Sequence, residues 1–136
     1  MLFSRRESSV KFYVHNVRGL KSEDKVEEII QHMRAHNILV YCALETWRSG
    51  DLTSENKGFL IFEHGPPTQV GRGSGGVAFF LHPLARQAWI AAGSKPPSLF
   101  GLVDGCARVM ALRLLFTDPR GRPLPVFLVA AYAPVS

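Results

Sequence analysis

Glu45, in Ala43-Leu44-Glu45-Thr46-Trp47, follows an apolar run from Ile38 to Leu44. A carboxylate there suits a hard cation such as Mg²⁺, which takes one or two carboxylates and keeps its other positions for water and phosphate. Asn16 closes an earlier run, Val14-His15-Asn16-Val17-Arg18-Gly19-Leu20, and Tyr132 follows a later one in Ala131-Tyr132-Ala133-Pro134. An amide and a phenol can donate hydrogen bonds to charge developing on phosphate oxygens. Placed on one rim of a sheet, the three groups could hold a divalent metal and a phosphate. Each taken alone has an ordinary reading: a salt-bridging acid at a loop start, a turn asparagine, an amphipathic strand end.

Other chemistry-bearing residues read more simply. Gly71-Arg72-Gly73-Ser74-Gly75-Gly76 matches GxGxxG, but a dinucleotide cradle needs a helix after it. Val77-Ala78-Phe79-Phe80-Leu81 follows instead and reads as a strand. The segment is better taken as a hairpin loop with Arg72 at its tip, placed to touch a phosphate backbone. His32 and His36 are four residues apart on a predicted helix but lack a third ligand nearby, so they read as surface residues. Cys42 and Cys106 lie in apolar segments with no CxxC spacing and read as small buried hydrophobes in a reducing compartment.

These residues are positioned by a simple order of elements. Residues 1–9 are polar and expected to be loose. Val10 to Val17 reads as a first strand, closed by the Arg18-Gly19 turn. A helix follows, with Ser22 as cap and Glu23 and Asp24 in its first turn. Val26, Ile29, Ile30 and Met33 fall on one face at helical spacing, and His36-Asn37 is the stop. Ile38 to Leu44 reads as a strand covered on both faces, which completes a βαβ-like unit. Gly58–Glu63 and Gly76–Leu81 read as short strands, 83–92 as either a helical turn or a strand, and 94–104 as a loop. No second convincing helix is expected. Cys106 to Phe116 and Leu124 to Ala131 form a long hairpin through the turn segment 117–123.

The bulk numbers set limits. A chain of 136 residues makes one domain, and 46% apolar with 20% charged residues excludes a disordered tail. The formal charge of +5 favours acidic partners, of which nucleic acid is the commonest. No apolar segment approaches a membrane span, and no signal-peptide core follows Arg5-Arg6, so an intracellular chain is expected.

The sequence resembles the N-terminal half of the endonuclease/exonuclease/phosphatase superfamily. It is nearest in texture to the endonuclease domains of non-LTR (LINE-type) retrotransposon proteins. The resemblance rests on HNVRGL at 15–20, ALETW at 43–47, GSGGVAFFL at 73–81, the arginine-bearing strand at 106–116, and AAYAP at 130–134. It implies an α/β fold, the N-terminal half of a four-layer α/β/β/α sandwich, with residues 10–136 as a partial domain. It also implies DNA phosphodiester cleavage with Mg²⁺ or Mn²⁺ and no small-molecule cofactor. On this reading Glu45 ligates the metal, Asn16 helps hold metal or phosphate, and Tyr132 hydrogen-bonds the scissile phosphate. Many members carry glutamine where this chain has Leu44, and some carry an acid where it has Arg18. The family's downstream Asp-x-Asn motif and closing Asp-His pair cannot be placed within these residues. Asp104 and Asp118 precede Tyr132 in loops and are not candidates for them. The isolated chain is therefore expected to be inactive, at most a weak basic nucleic-acid binder. Its inner sheet face is expected to lack a partner sheet and to drive self-association.

Overall fold

A computed structural model describes residues 10–20, 22–68 and 75–131. Strand β1 (Lys11–Asn16) leads into helix α1 (Glu23–His36). The Ser22 hydroxyl accepts from the Lys25 N–H at 3.3 Å, and Asn37 ends the helix in a left-handed conformation at φ 54°. The chain then enters β2 (Ile38–Leu44), which lies parallel to β1. The βαβ unit expected from the periodicity is present.

Strands β3 (Asp51–Asn56) and β4 (Phe59–His64) form a hairpin, and β5 (Val77–Leu81) lies between β4 and β2. The resulting five-stranded sheet has the order β1-β2-β5-β4-β3. Its two faces are both apolar because strand residues alternate sides. Tyr41, Ala43, Phe59, Ile61 and Phe80 meet Val26, Ile29, Ile30 and Met33 of α1. Val40, Cys42, Leu60, Phe62, Phe79 and Leu81 turn the other way.

That second face is covered. A three-stranded antiparallel sheet, β6 (Ser98–Val103), β7 (Cys106–Thr117) and β8 (Pro123–Ala131), lies against it in the order β6-β7-β8. Met110, Leu112, Leu114 and Phe116 of β7 fill the space between the sheets. The expectation of an uncovered inner face is therefore corrected: the partner strands come from within these residues. The same face stays open at its β1 edge, where Phe12 and Val14, in register with Val40 and Cys42, are exposed; other exposed apolar groups lie on β6 (Phe100, Leu102) and β8 (Phe127, Val129).

Three segments differ from the sequence expectation, the first being β3, which the sequence reading does not assign. Pro83–Ala91 is a helix, α2, with the His82 ring accepting from the Leu84 N–H and proline in its first turn. Its nine residues put Ala85 and Ala88 into the inter-sheet core, too short a stretch for helical periodicity to stand out. Ser98–Val103, expected within a loop, is the edge strand β6. Only one of its sides is paired, and most of its residues are exposed, so no burial pattern marks it. The 117–123 turn is as expected. Asp118 accepts from the Arg122 and Arg120 N–H groups and from the Arg122 guanidinium, at 2.8–2.9 Å. Those bonds, the Arg122 backbone foremost, hold its carboxyl below the usual range. Asp118 is thus a turn staple.

Among the described residues, no helix is long and apolar enough to cross a membrane. Cys42 and Cys106 are free and buried, and burial pushes the Cys42 thiol up to about 12, so it stays protonated and inert near neutral pH.

Candidate functional site

Because β1 and β2 are parallel, their C-terminal ends share one rim, and Asn16 is the in-register partner of Leu44. Leu44 pairs with Val77, Val77 with His64, and His64 with Asp51. One row, Asn16-Leu44-Val77-His64-Asp51, therefore crosses the whole sheet at this rim. Glu45 stands one residue beyond it.

The loop after β2 is held from three sides. On one side the Val17, Gly19 and Leu20 N–H groups donate to the Leu44, Glu45 and Thr46 carbonyls at 2.8–2.9 Å. On the other, the Thr46 and Trp47 N–H groups donate to the Gly76 and Gly75 carbonyls at 3.3 and 3.0 Å. From beneath, Arg48 reaches back to the Leu20 carbonyl, to Glu63 at 2.9 Å and to Glu23 at 3.5 Å. Glu63 needs this partner, since its side chain is only 4% exposed. Thr46 is buried at the centre of the loop.

This clamping fixes an unusual backbone. Glu45 and Trp47 have φ values of 56° and 59°, left-handed conformations that L-residues adopt at a cost. Two glycines leave room for the loop. A Cβ at Gly19 would lie 2.7 Å from the Trp47 ring, and one at Gly76, where φ is +90°, would strike the Thr46 hydroxyl. The Glu45 side chain is half-buried and makes no hydrogen bond or ion pair among the described residues. Asn16 is exposed, and its Oδ1 accepts from the Arg18 N–H at 3.2 Å, an Asx-type turn. Asn16 and Glu45 are thus brought together at the ends of adjacent strands.

Tyr132 and Arg72 lie outside the described residues. Ala131, which precedes Tyr132, lines a cleft of about 170 Å³ between β1–β2 and β8, and Leu44, which precedes Glu45, lines the same cleft. Phe12, Val14, Phe79 and Leu128 are among its other apolar lining residues. Of the GxGxxG segment, Gly75 and Gly76 are described, and strand β5 follows them directly.

The rings of His32 and His36 lie 4.6 Å apart on α1, with His32 also edge-on to Tyr13. Among the described residues no group of three or more His, Cys, Asp or Glu side chains is arranged to hold a metal ion.

Sequence reasoning missed two residues of the rim row, His64 and Asp51. The His64 Nδ1 bonds the Asp51 carboxylate, and its Nε2 accepts from the Ala107 N–H at 2.8 Å. The only signal was a histidine closing an apolar strand, Phe59 to His64, and that cannot announce a partner 43 residues away on another sheet.

No protein-family model, curated protein or solved structure matches the chain.

Proposed function

We propose that the Asn16–Glu45 rim is one side of a divalent-metal site for phosphodiester chemistry on DNA, of the endonuclease/exonuclease/phosphatase type seen in LINE-type retrotransposon proteins. The observation that carries this reading is the Glu45 loop. A half-buried carboxylate without a partner among the described residues is held in a left-handed backbone by two flanking ladders and the partly buried Arg48, beside an exposed asparagine on the neighbouring strand end. Strain of this kind persists where the surroundings over-determine it, and such residues gather at functional sites.

One carboxylate and one amide fit Mg²⁺ or Mn²⁺, which fill their remaining positions with water and substrate phosphate. Glu45 and Asn16 would hold the ion, and the ion would stabilise charge on the phosphate oxygens. Tyr132 enters the reading only as the residue after Ala131, whose side of the cleft faces Leu44. The finer architecture of the proposal is the four-layer α/β/β/α sandwich. Its support is the sheet-on-sheet packing with α1 outside one sheet, and the bare outer residues Phe127 and Val129 where a further layer or a second copy would pack.

The metal site is tested with Mn²⁺ as a paramagnetic probe. Line broadening is expected to centre on Asn16, Glu45 and Thr46 and to vanish in Glu45→Gln. Broadening centred elsewhere, or unchanged by that substitution, would falsify the reading. These 136 residues alone are expected to nick supercoiled plasmid in Mg²⁺ no faster than their Glu45→Ala variant, because they carry no Asp-x-Asn or Asp-His motif to orient the attacking water. General-base catalysis typically supplies about 10²–10⁴-fold. Glu45-dependent nicking would show that the described rim suffices.

A second reading, a basic nucleic-acid-binding module without catalysis, is favoured by the +5 charge and by exposed Arg18 beside Asn16. It forecasts DNA affinity that ignores sequence and falls steeply with salt.

A further inference from the structure

We propose that His64 is a proton-sensitive latch between the two sheets, positioning the second sheet against the rim row that carries Asn16. The inference stands on its own geometry and does not depend on a metal at Glu45.

His64 is 5% exposed and closes β4 on the face turned to the second sheet. Each ring nitrogen has one partner. The Ala107 amide can only donate, so Nε2 must be the unprotonated acceptor at 2.8 Å. The proton then resides on Nδ1, which donates to the Asp51 carboxylate on β3. A single tautomer of the neutral imidazole satisfies both bonds. Ala107 follows Cys106 at the start of β7, the central strand of the second sheet. The His64–Ala107 bond thus ties the rim of one sheet to the middle strand of the other, beside the apolar cluster between the sheets.

Protonation reverses this contact. Imidazolium carries hydrogens on both nitrogens, so an Nε2–H would face the Ala107 N–H, donor against donor. Asp51 works in the opposite sense, since a carboxylate favours the charged ring. It is, however, largely exposed, with 66% of its side chain open to water, which screens its attraction. The remaining titratable neighbours among the described residues are as follows. Cys106 and Arg108 flank Ala107 on β7, and Glu63, preceding His64, is turned to Arg48. The latch is therefore closed while the ring is neutral and opens when the ring is protonated. Losing the bond to Ala107 on protonation removes one tie between the sheets.

Imidazole ¹⁵N and amide NMR between pH 8 and 5 tests the proposal on the whole chain. At pH 8, His64 Nε2 is expected to carry the shift of an unprotonated acceptor and Nδ1 that of a protonated donor. The Ala107 amide should move in one step with the His64 ring and lose about fivefold or more in exchange protection, the scale of one hydrogen bond. In His64→Gln, whose amide oxygen accepts without titrating, the step should disappear. In Asp51→Asn, which keeps an acceptor for Nδ1–H but removes the charge, the step should shift to lower pH because imidazolium is then less favoured. The urea midpoint should fall further between pH 8 and 5 in wild type than in His64→Gln. An Nε2-protonated ring, an Ala107 amide indifferent to the His64 titration, or equal pH dependence of the two midpoints overturns it.

Discussion

Replacing Arg48 with alanine is expected to cost about 3–5 kcal/mol of folding stability, the scale for breaking a buried ion pair by removing one partner. The loss comes from Glu63. Its side chain is 4% exposed on a strand buried throughout, and Arg48, 24% exposed, is the cation against it. Without the guanidinium, a carboxylate is left in an apolar surround with little water to compensate it. The bond from Arg48 to the Leu20 carbonyl goes at the same time, loosening the segment that ladders against Glu45 and Thr46. The contact with Glu23 adds little, because that acid is 80% exposed. Urea unfolding measures the effect. The double replacement Arg48→Met with Glu63→Leu should recover most of it, since apolar groups of similar volume commonly substitute for a buried pair without loss. A single variant as stable as wild type would show that Glu63 finds other solvation.

Phe79→Ala is expected to be comparably severe, about 3–5 kcal/mol, through lost burial plus the cavity left behind. Phe79 is 2% exposed in the middle of β5, packed between the sheets and lining the cleft shared by Leu44 and Ala131. The backbone cannot close the gap, because β2 and β4 pair with β5 on both sides and fix its position. Phe79→Leu, which keeps most of the volume, should lose less than half as much. The urea midpoint should fall without a change in slope, since the unfolded chain exposes nearly the same surface. A Phe79→Ala loss no greater than that of an exposed site such as Leu52→Ala would mean that the inter-sheet packing is not the stabilising element.

Parts of this fold are legible in the amino-acid sequence alone. Helix α1 announced itself by four apolar residues at helical spacing, a serine cap, two acids in the first turn and an asparagine stop. Its boundaries follow from those residues. Strand β2 was legible as a run buried on both faces, and the long hairpin by its turn chemistry. What escaped had weak local signals. Helix α2 is short, β6 is an edge strand with little burial, and β3 alternates with no apolar face of its own. In each, pairing or docking onto a neighbour decided the conformation, and propensity did not.

The candidate site divides in the same way. The sequence by itself determined the residue types: a carboxylate after a buried strand, an amide after the strand before it, a basic balance, and glycines where the chain must pass close to a neighbour. It determined that a βαβ unit places Asn16 and Leu44 at one end, because a crossover through a helix leaves its two strands parallel. Only the tertiary structure decided that Glu45 adopts a left-handed backbone, that Arg48 is committed to buried Glu63, and that His64 joins two sheets through a single tautomer. It also decided that the inner sheet face is covered by β7. The physical reason is range. Caps, turns and periodicity act over a few residues, whereas these contacts join groups 15 to 43 positions apart and exist only once the sheets have packed.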